Sequence, residues 1–356
     1  MNPYHNLPVE SFWRTAVAEH DALEIRNIWK PKFRVSPDLP IATAGSCFAQ
    51  HISKALVARG YPWLDGEPAP KGLSAASQQL FNYGVFSFRT GNIYTAAALR
   101  QWLEWALMGK AAPDEVWLKD GRFYDPFRPA IEPNGFHSYA EMLASRQDTF
   151  NAIRTVLGQS QCFVFTLGLT EAWLNIEQNH VYPLCPGTAA GAYAADLHQF
   201  VNYSYAPIYQ DLDAAFKLMK ALNPTLKFLL TVSPVPLTAT ASDHHVLVAT
   251  AYSKATLRAV AGDLAAARDD TDYFPAYELI TGSPFRSRFF QDNLRSVTPE
   301  GVDFVMAAFF SGIGGLSQKF EPKIVNNEAV DLLDSEADLV CEEELLAAFM
   351  PEKARS

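Results

Sequence analysis

Three adjacent residues, Gly45-Ser46-Cys47, stand where an apolar run gives way to a helical pattern. Residues 39–44 are apolar apart from Pro40 and Thr43. From Phe48 onward, Phe48, Ile52, Ala55 and Leu56 share one helical face until Gly60. Strand, tight turn and helix would place Cys47 at the positive end of a helix dipole, among backbone N–H groups that lack intrahelical partners. A thiol there ionises more readily, and the thiolate is the nucleophile. The same residues also fit a plainer reading, with Ser46 as the N-cap and Cys47 as a small buried hydrophobe. Local physics leaves both open.

The elements that must hold this turn repeat its grammar. Residues 161–167 (Gln-Cys-Phe-Val-Phe-Thr-Leu) read as a buried strand running into Gly168-Leu169-Thr170-Glu171. Residues 226–232 read as another, running into Ser233-Pro234-Val235-Pro236, and residues 272–279 contain a fourth candidate. Helical spacing covers residues 211–222, up to Asn223-Pro224, and residues 252–267. Apolar runs alternating with helices predict an α/β fold with a mostly parallel sheet covered on both faces. Ligands of such sheets sit beyond the carboxyl ends of the strands, so the polar clusters at three of those ends form one candidate site.

Around this core, residues 1–38 form a polar, Trp-containing lead-in closed by Ser36-Pro37-Asp38, and residues 39–312 carry the α/β pattern. Residues 62–140, rich in Gly, Pro and aromatics, read as an insertion over the sheet. Residues 313–356 form an acidic tail in which Glu328, Asp331, Asp334, Glu336, Asp338, Glu342, Glu343 and Glu344 read as a solvated face. The net charge is −10, with no basic run, so nucleic acid is not an expected partner. Cys47, Cys162, Cys185 and Cys341 are too dispersed for a Cys-x-x-Cys zinc site, and the eight histidines show no His-x-x-x-His spacing, so no metal is expected. A Cys162–Cys185 pairing stays open. The polar start and the lack of any 18-residue apolar stretch predict no secretory leader and no membrane span, hence a cytoplasmic protein.

Several blocks are recognisable together. On Gly45-Ser46-Cys47-Phe48-Ala49, the chain is identified as a member of the GSCFA family, a branch that resembles the SGNH/GDSL hydrolases. Residues 86–96 (Phe-Ser-Phe-Arg-Thr-Gly-Asn-Ile-Tyr-Thr-Ala), 166–173, 231–235, Ser253-Lys254 and 273–278 are similar to further blocks in the family's order, and the resemblance spans roughly residues 30–312. It implies a three-layer, flavodoxin-like fold and an acyl-ester enzyme, an O-acyltransferase or esterase acting on a carbohydrate or polysaccharide precursor. The implied partner is a small-molecule or glycan substrate. No cofactor is required, and acyl-CoA is one donor open to it. The other implied reading is a non-catalytic member that binds an acylated or glycan ligand.

Residue by residue, the resemblance is incomplete. Aligning the glycines of the SGNH Gly-Asp-Ser block puts Cys47 at the nucleophile position and leaves Ser46 as a second candidate. The Gly-x-Asn-Asp block looks like Gly168-Leu169-Thr170-Glu171, with Thr170 in place of the oxyanion-binding amide, or else capping a helix from Glu171. Gly84, in Asn82-Tyr83-Gly84, is a further oxyanion candidate, against the alternative of a loop turn. The Asp-x-x-His block matches at Asp292, but Arg295 holds the histidine position, and arginine is not an ordinary general base. Its replacement would come from an ionised cysteine, from His245 or His244 after the strand ending at Ser233, or from His51 one turn beyond Cys47. Arg295 would bind a phosphate, carboxylate or acyl-donor anion, or pair with Asp292 or Glu300. The loop Pro183-Leu184-Cys185-Pro186-Gly187-Thr188 reads as a rigid border of the site.

Overall fold

The computed structural model describes residues 2–314 and 341–350. In chain order the elements are β1 (Ile41–Gly45), α1 (Ala49–Ala58), α2 (Ala75–Leu80), α3 (Ala96–Met108), β2 (Trp117–Lys119), β3 (Arg122–Tyr124), α4 (Tyr139–Gln159) and β4 (Cys162–Leu167). There follow β5 (Glu171–Asn175), β6 (His180–Tyr182), β7 (His198–Asn202), α5 (Tyr205–Leu222), β8 (Lys227–Val232), α6 (Val246–Ala267), β9 (Thr271–Tyr273), α7 (Ala276–Thr281) and α8 (Pro299–Gly314). A 3-10 helix, Glu342–Phe349, closes the described chain.

Strands β1, β4, β8 and β9 pair in that order, all parallel. Alternate side chains of each strand enter different cores, as the two-residue period of a strand requires. Phe163, Phe165 and Leu167 join Phe228, Leu230 and Val232 in a core with α3, α4, α5 and α6, while Cys162, Val164 and Leu229 join the core of α1, α7 and α8. Burial on both faces is why the strands read as continuous apolar runs. The chain is thus a three-layer α/β fold of flavodoxin type.

One edge element escaped the pattern. Ile41 N–H donates to Pro62 O at 3.0 Å, Leu64 N–H donates to Ile41 O at 2.9 Å, and Ile41 bridges Trp63 in parallel. Residues 62–64 therefore flank β1 as a rudimentary strand, which Pro62, lacking an N–H, keeps short. With it the order becomes 62–64, β1, β4, β8, β9. The sheet reverses direction of growth at β1/β4, a topological switch point.

Several boundaries differ from the sequence pattern for identifiable reasons. Helix α5 begins at Tyr205 because Pro207 lies in its first turn, where a missing N–H costs little. Helix α6 begins at Val246, six residues before its apolar period, since Leu247 and Val248 are exposed. Pro275 ends β9 after three residues and starts α7. The segment after Thr170 is not a helix but β5, paired antiparallel with β6 and β7. Thr170 therefore caps no helix there. Within residues 62–140, α3 belongs to the main core through Leu99, Trp102, Leu103 and Trp105, each contributing about 1.5–3 kcal/mol by burial.

The β1–α1 turn depends on one glycine. Gly45 has φ +133°, and a Cβ on it would lie 2.4 Å from Thr166 O. Both the backbone conformation and the contact with β4 exclude a side chain. Gly45→Ala is expected to lower stability by about 3 kcal/mol or more through combined strain and overpacking. A denaturant midpoint checks this, and an unchanged midpoint would contradict it.

Candidate functional site

Cys47 lies at the start of α1, beyond the carboxyl end of β1, and is 4% exposed. Around it the chain brings together residues from four distant segments. Tyr94 comes from the loop before α3, Lys254 from α6, Arg295 from the turn before α8, and Cys341 and Glu343 from the C-terminal segment. The thiol of Cys47 hydrogen-bonds Cys341, whose Sγ accepts from Arg295 NH2 at 3.7 Å. The hydrogen bond from Cys47, helped by the Arg295 guanidinium, holds the Cys341 thiol below the usual cysteine range against burial and the Glu343 charge. That hydrogen bond, then burial, pushes the Cys47 thiol well above the usual cysteine range, with Arg295 opposing. With the C-terminal segment in place, the helix start does not yield the expected thiolate.

Ser46 is also buried, but its Oγ has no hydrogen-bond partner among the described residues, and it does not cap α1. Its N–H donates to Thr166 O at 3.0 Å, and a Cβ on Gly168 would lie 2.8 Å from the Ser46 Cβ. Gly168 serves this approach of β1 to β4. Its N–H donates to Tyr94 O at 3.2 Å, and its carbonyl accepts from Lys254 Nζ at 2.7 Å. The Thr170 hydroxyl donates to Asn202 Oδ1 at 2.6 Å.

Lys254 is the residue whose role the sequence did not disclose. It is 1% exposed, and burial lowers its ammonium to about 8, with the Glu343 charge acting the other way. Glu343 in turn is raised to about 7 by burial, against the pull of Arg295 and Lys254. A signal was present: Lys254, Leu257, Ala261 and Leu264 recur at helical spacing on the buried stripe of α6, and a lysine in such a stripe is unusual.

The remaining candidates lie as follows. Arg295 is half-buried and reaches Pro236 O at 3.2 Å, Glu343 at 3.6 Å and Glu344 at 3.6 Å. Its ion pairs are therefore with the C-terminal segment, not with Asp292 or Glu300, and Glu300 pairs with Arg288 at 2.9 Å. Asp292 is exposed on the same turn, where Asn293 Oδ1 accepts from Arg295 N–H and directs that residue inward. His245 is exposed and uses Nδ1 to cap α6 at the Leu247 N–H, while His244 is exposed beside it. His51 packs edge-on against Phe48, and burial lowers it to about 3, a weak base at neutral pH. Gly84 is exposed at φ +68°, in a turn whose Tyr83 ring lies under Arg89.

The C-terminal acidic segment is not wholly solvated. Glu342 and Glu343 are 4% and 6% exposed, because they enter the site. Residues 315–340, which carry most of the other tail acids, lie outside the described residues. Beside Glu343 opens a cavity of about 410 Å³ with largely apolar walls, including Leu169, Trp173, Tyr193, Phe200 and Phe349. Residues 183–188 form one wall, as expected of a loop bordering the site. All four cysteines are free, so Cys162 and Cys185 are not paired. Among the described residues no cluster of His, Cys, Asp and Glu could hold a metal ion, and no helix is long and apolar enough to cross a membrane.

Fold and site together define a flavodoxin-type α/β protein with a buried thiol at the sheet's switch point. The GSCFA family matches residues 40–309, about three-quarters of the 356-residue chain, and the chain belongs to that family. No curated protein matches it.

Proposed function

We propose that the protein transfers an acyl group from an ester or thioester through Cys47. The thiol sulfur attacks the acyl carbonyl carbon while neutral Lys254 takes the thiol proton, and the donor alcohol or CoA thiolate leaves with a proton. The thioester formed on Cys47 is then attacked by an acceptor hydroxyl, as in an O-acyltransferase, or by water, as in an esterase. Arg295 favours the anionic charge that develops during both attacks. The observation that carries the reading is a buried lysine with an ammonium near 8, in electrostatic reach of a helix-start thiol. A base is needed because the thiol is held protonated, and Lys254 supplies what histidine supplies in SGNH enzymes. A carbohydrate hydroxyl as acceptor follows from the SGNH resemblance, and acyl-CoA is the donor that resemblance leaves open.

A base must be deprotonated to act. Turnover of p-nitrophenyl acetate or acetyl-CoA is therefore expected to rise with pH through about 8, a macroscopic value of the coupled site. Lys254→Met should remove that limb and lower the rate by about 10²–10⁴. A variant with an unchanged pH profile would remove Lys254 from the mechanism.

One observation favours a second reading, ligand binding without turnover: Cys47 is almost fully covered. Iodoacetamide separates the two. A working Cys47 alkylates within minutes near pH 8, and a packed one does not.

A further inference from the structure

The carboxylate of Glu342 is buried among donors that belong to another part of the fold. Asn92 N–H donates to Oε1 at 3.4 Å, Asn92 Nδ2 donates to Oε2, and the Tyr94 hydroxyl donates to Oε2 at 2.9 Å. Gly91, at φ +69°, leaves the space: a Cβ there would lie 2.8 Å from Glu342 Oε1. Burying a carboxylate carries a large desolvation cost unless such donors meet it.

Contacts independent of Glu342 hold these donors in place. Ile93 N–H donates to Gly45 O at 2.9 Å, and Tyr94 O accepts from the Gly168 and Leu169 N–H groups at 3.2 and 3.0 Å. Arg128 NH1, itself fully buried, donates to Arg89 O at 3.1 Å. The cradle is thus built on the sheet's switch point and on a buried ion cluster. Cys341, the neighbour of Glu342, lies 4.0 Å from the Tyr94 hydroxyl and hydrogen-bonds Cys47, so Tyr94 and Cys341 link the carboxylate to the thiol.

We propose that Gly91, Asn92 and Tyr94 form a carboxylate-binding subsite next to Cys47, filled in this chain by its own Glu342, and that the ligand handled at Cys47 bears a carboxylate that takes Glu342's place. The ligand's fate at Cys47 rests on the acyl-transfer reading. The subsite itself does not, because its occupancy can be measured without turnover. Preorganised donors of this number would select a carboxylate over the matching neutral amide.

The test uses the full-length protein and two probes that copy the glutamate side chain, propionate and its neutral analogue propionamide. Saturation-transfer NMR is recorded for wild type, Glu342→Ala and Glu342→Ala/Asn92→Ala. The expected result is saturable propionate binding in Glu342→Ala, at least tenfold weaker in wild type and in the double variant, and at least tenfold weaker for propionamide. Equal propionate signals in all three proteins, no signal in Glu342→Ala, or no preference over propionamide would each overturn the proposal. A second readout needs no weak binding. The rate ratio of iodoacetate to iodoacetamide at Cys47, read by peptide mapping, should rise at least tenfold in Glu342→Ala and fall back when Asn92→Ala is added. A ratio that stays flat, or a rise that survives Asn92→Ala, contradicts it.

Discussion

Asp125→Ala is expected to cost about 3–5 kcal/mol of stability, the range for breaking a buried ion cluster by removing one partner. Asp125, Arg128 and Arg146 are all within 3% of complete burial. Asp125 accepts from Arg128 Nε at 2.9 Å and from Arg146 Nε and NH2 at 3.0 and 2.8 Å. Without the carboxylate, two guanidiniums remain in the core with Thr149, Ser145 and carbonyl oxygens as hydrogen-bond partners and the Phe127 ring facing Arg146, but with no counter-charge from Asp125. Asp125→Asn should cost less than alanine, since an amide oxygen still accepts, but should remain strongly destabilising. Urea midpoints measure both, and a loss under 1 kcal/mol would mean the cluster is dispensable.

The pH dependence follows the same charges. Burial would raise the Asp125 pKa, but Arg146 and Arg128 outweigh it and hold the group below the ordinary aspartate range. A depressed folded pKa gives stability that is fully present above the unfolded value of about 3.9 and lost as pH falls below it. The Asp125 share therefore disappears only in strong acid. The site should suffer too, because Arg128 braces the loop that carries Asn92.

Cys47→Ala is expected to abolish turnover, with a loss of about a thousandfold or more where a nucleophile is removed outright. The fold should tolerate the change, since it keeps Cβ and deletes a single sulfur atom, leaving only a small gap. The Cys341 sulfur stays beside Arg295 in that variant, so Cys341 can be tested as a substitute nucleophile. Cys47→Ala/Cys341→Ala separates them: if Cys47 is the nucleophile, the double variant is no worse than the single one. Ser46→Ala should keep most of the activity, because the Ser46 hydroxyl is buried and joined to none of the groups around Cys47. Activity surviving in Cys47→Ala and lost in Ser46→Ala would reverse the assignment.

The layered sheet could be read from residues 161–167 and 226–232 because strands covered on both faces must be apolar at every position. The helix-start position of Cys47 could be read because one glycine and one change of period mark the turn. The edge strand at residues 62–64 could not, since three residues that include Pro62 carry no periodicity. Glu342 and Glu343 were hidden in an acidic run that, taken locally, belongs in water. Glu342 is buried against Asn92 and Tyr94, some 250 residues away in the chain, and Glu343 faces Arg295 and Lys254, and local pattern carries no such information. Arg295 is visible as a departure from Asp-x-x-His, but the sequence offers only its near acids, Asp292 or Glu300, as ion-pair alternatives, whereas the fold delivers Glu343 and Glu344. Ser253-Lys254 is visible as a family block, but the block carries no role for Lys254; its place on the apolar stripe of α6 is what marks it.

The central claim is that Cys47 carries the acyl group. Intact-mass spectrometry after incubation with p-nitrophenyl acetate or acetyl-CoA, on wild type, Cys47→Ala and Ser46→Ala, tests it most directly. The account predicts one acetyl adduct in wild type and in Ser46→Ala, absent from Cys47→Ala and mapped to the peptide bearing Cys47. An adduct that persists in Cys47→Ala, or that is lost only in Ser46→Ala, would contradict it.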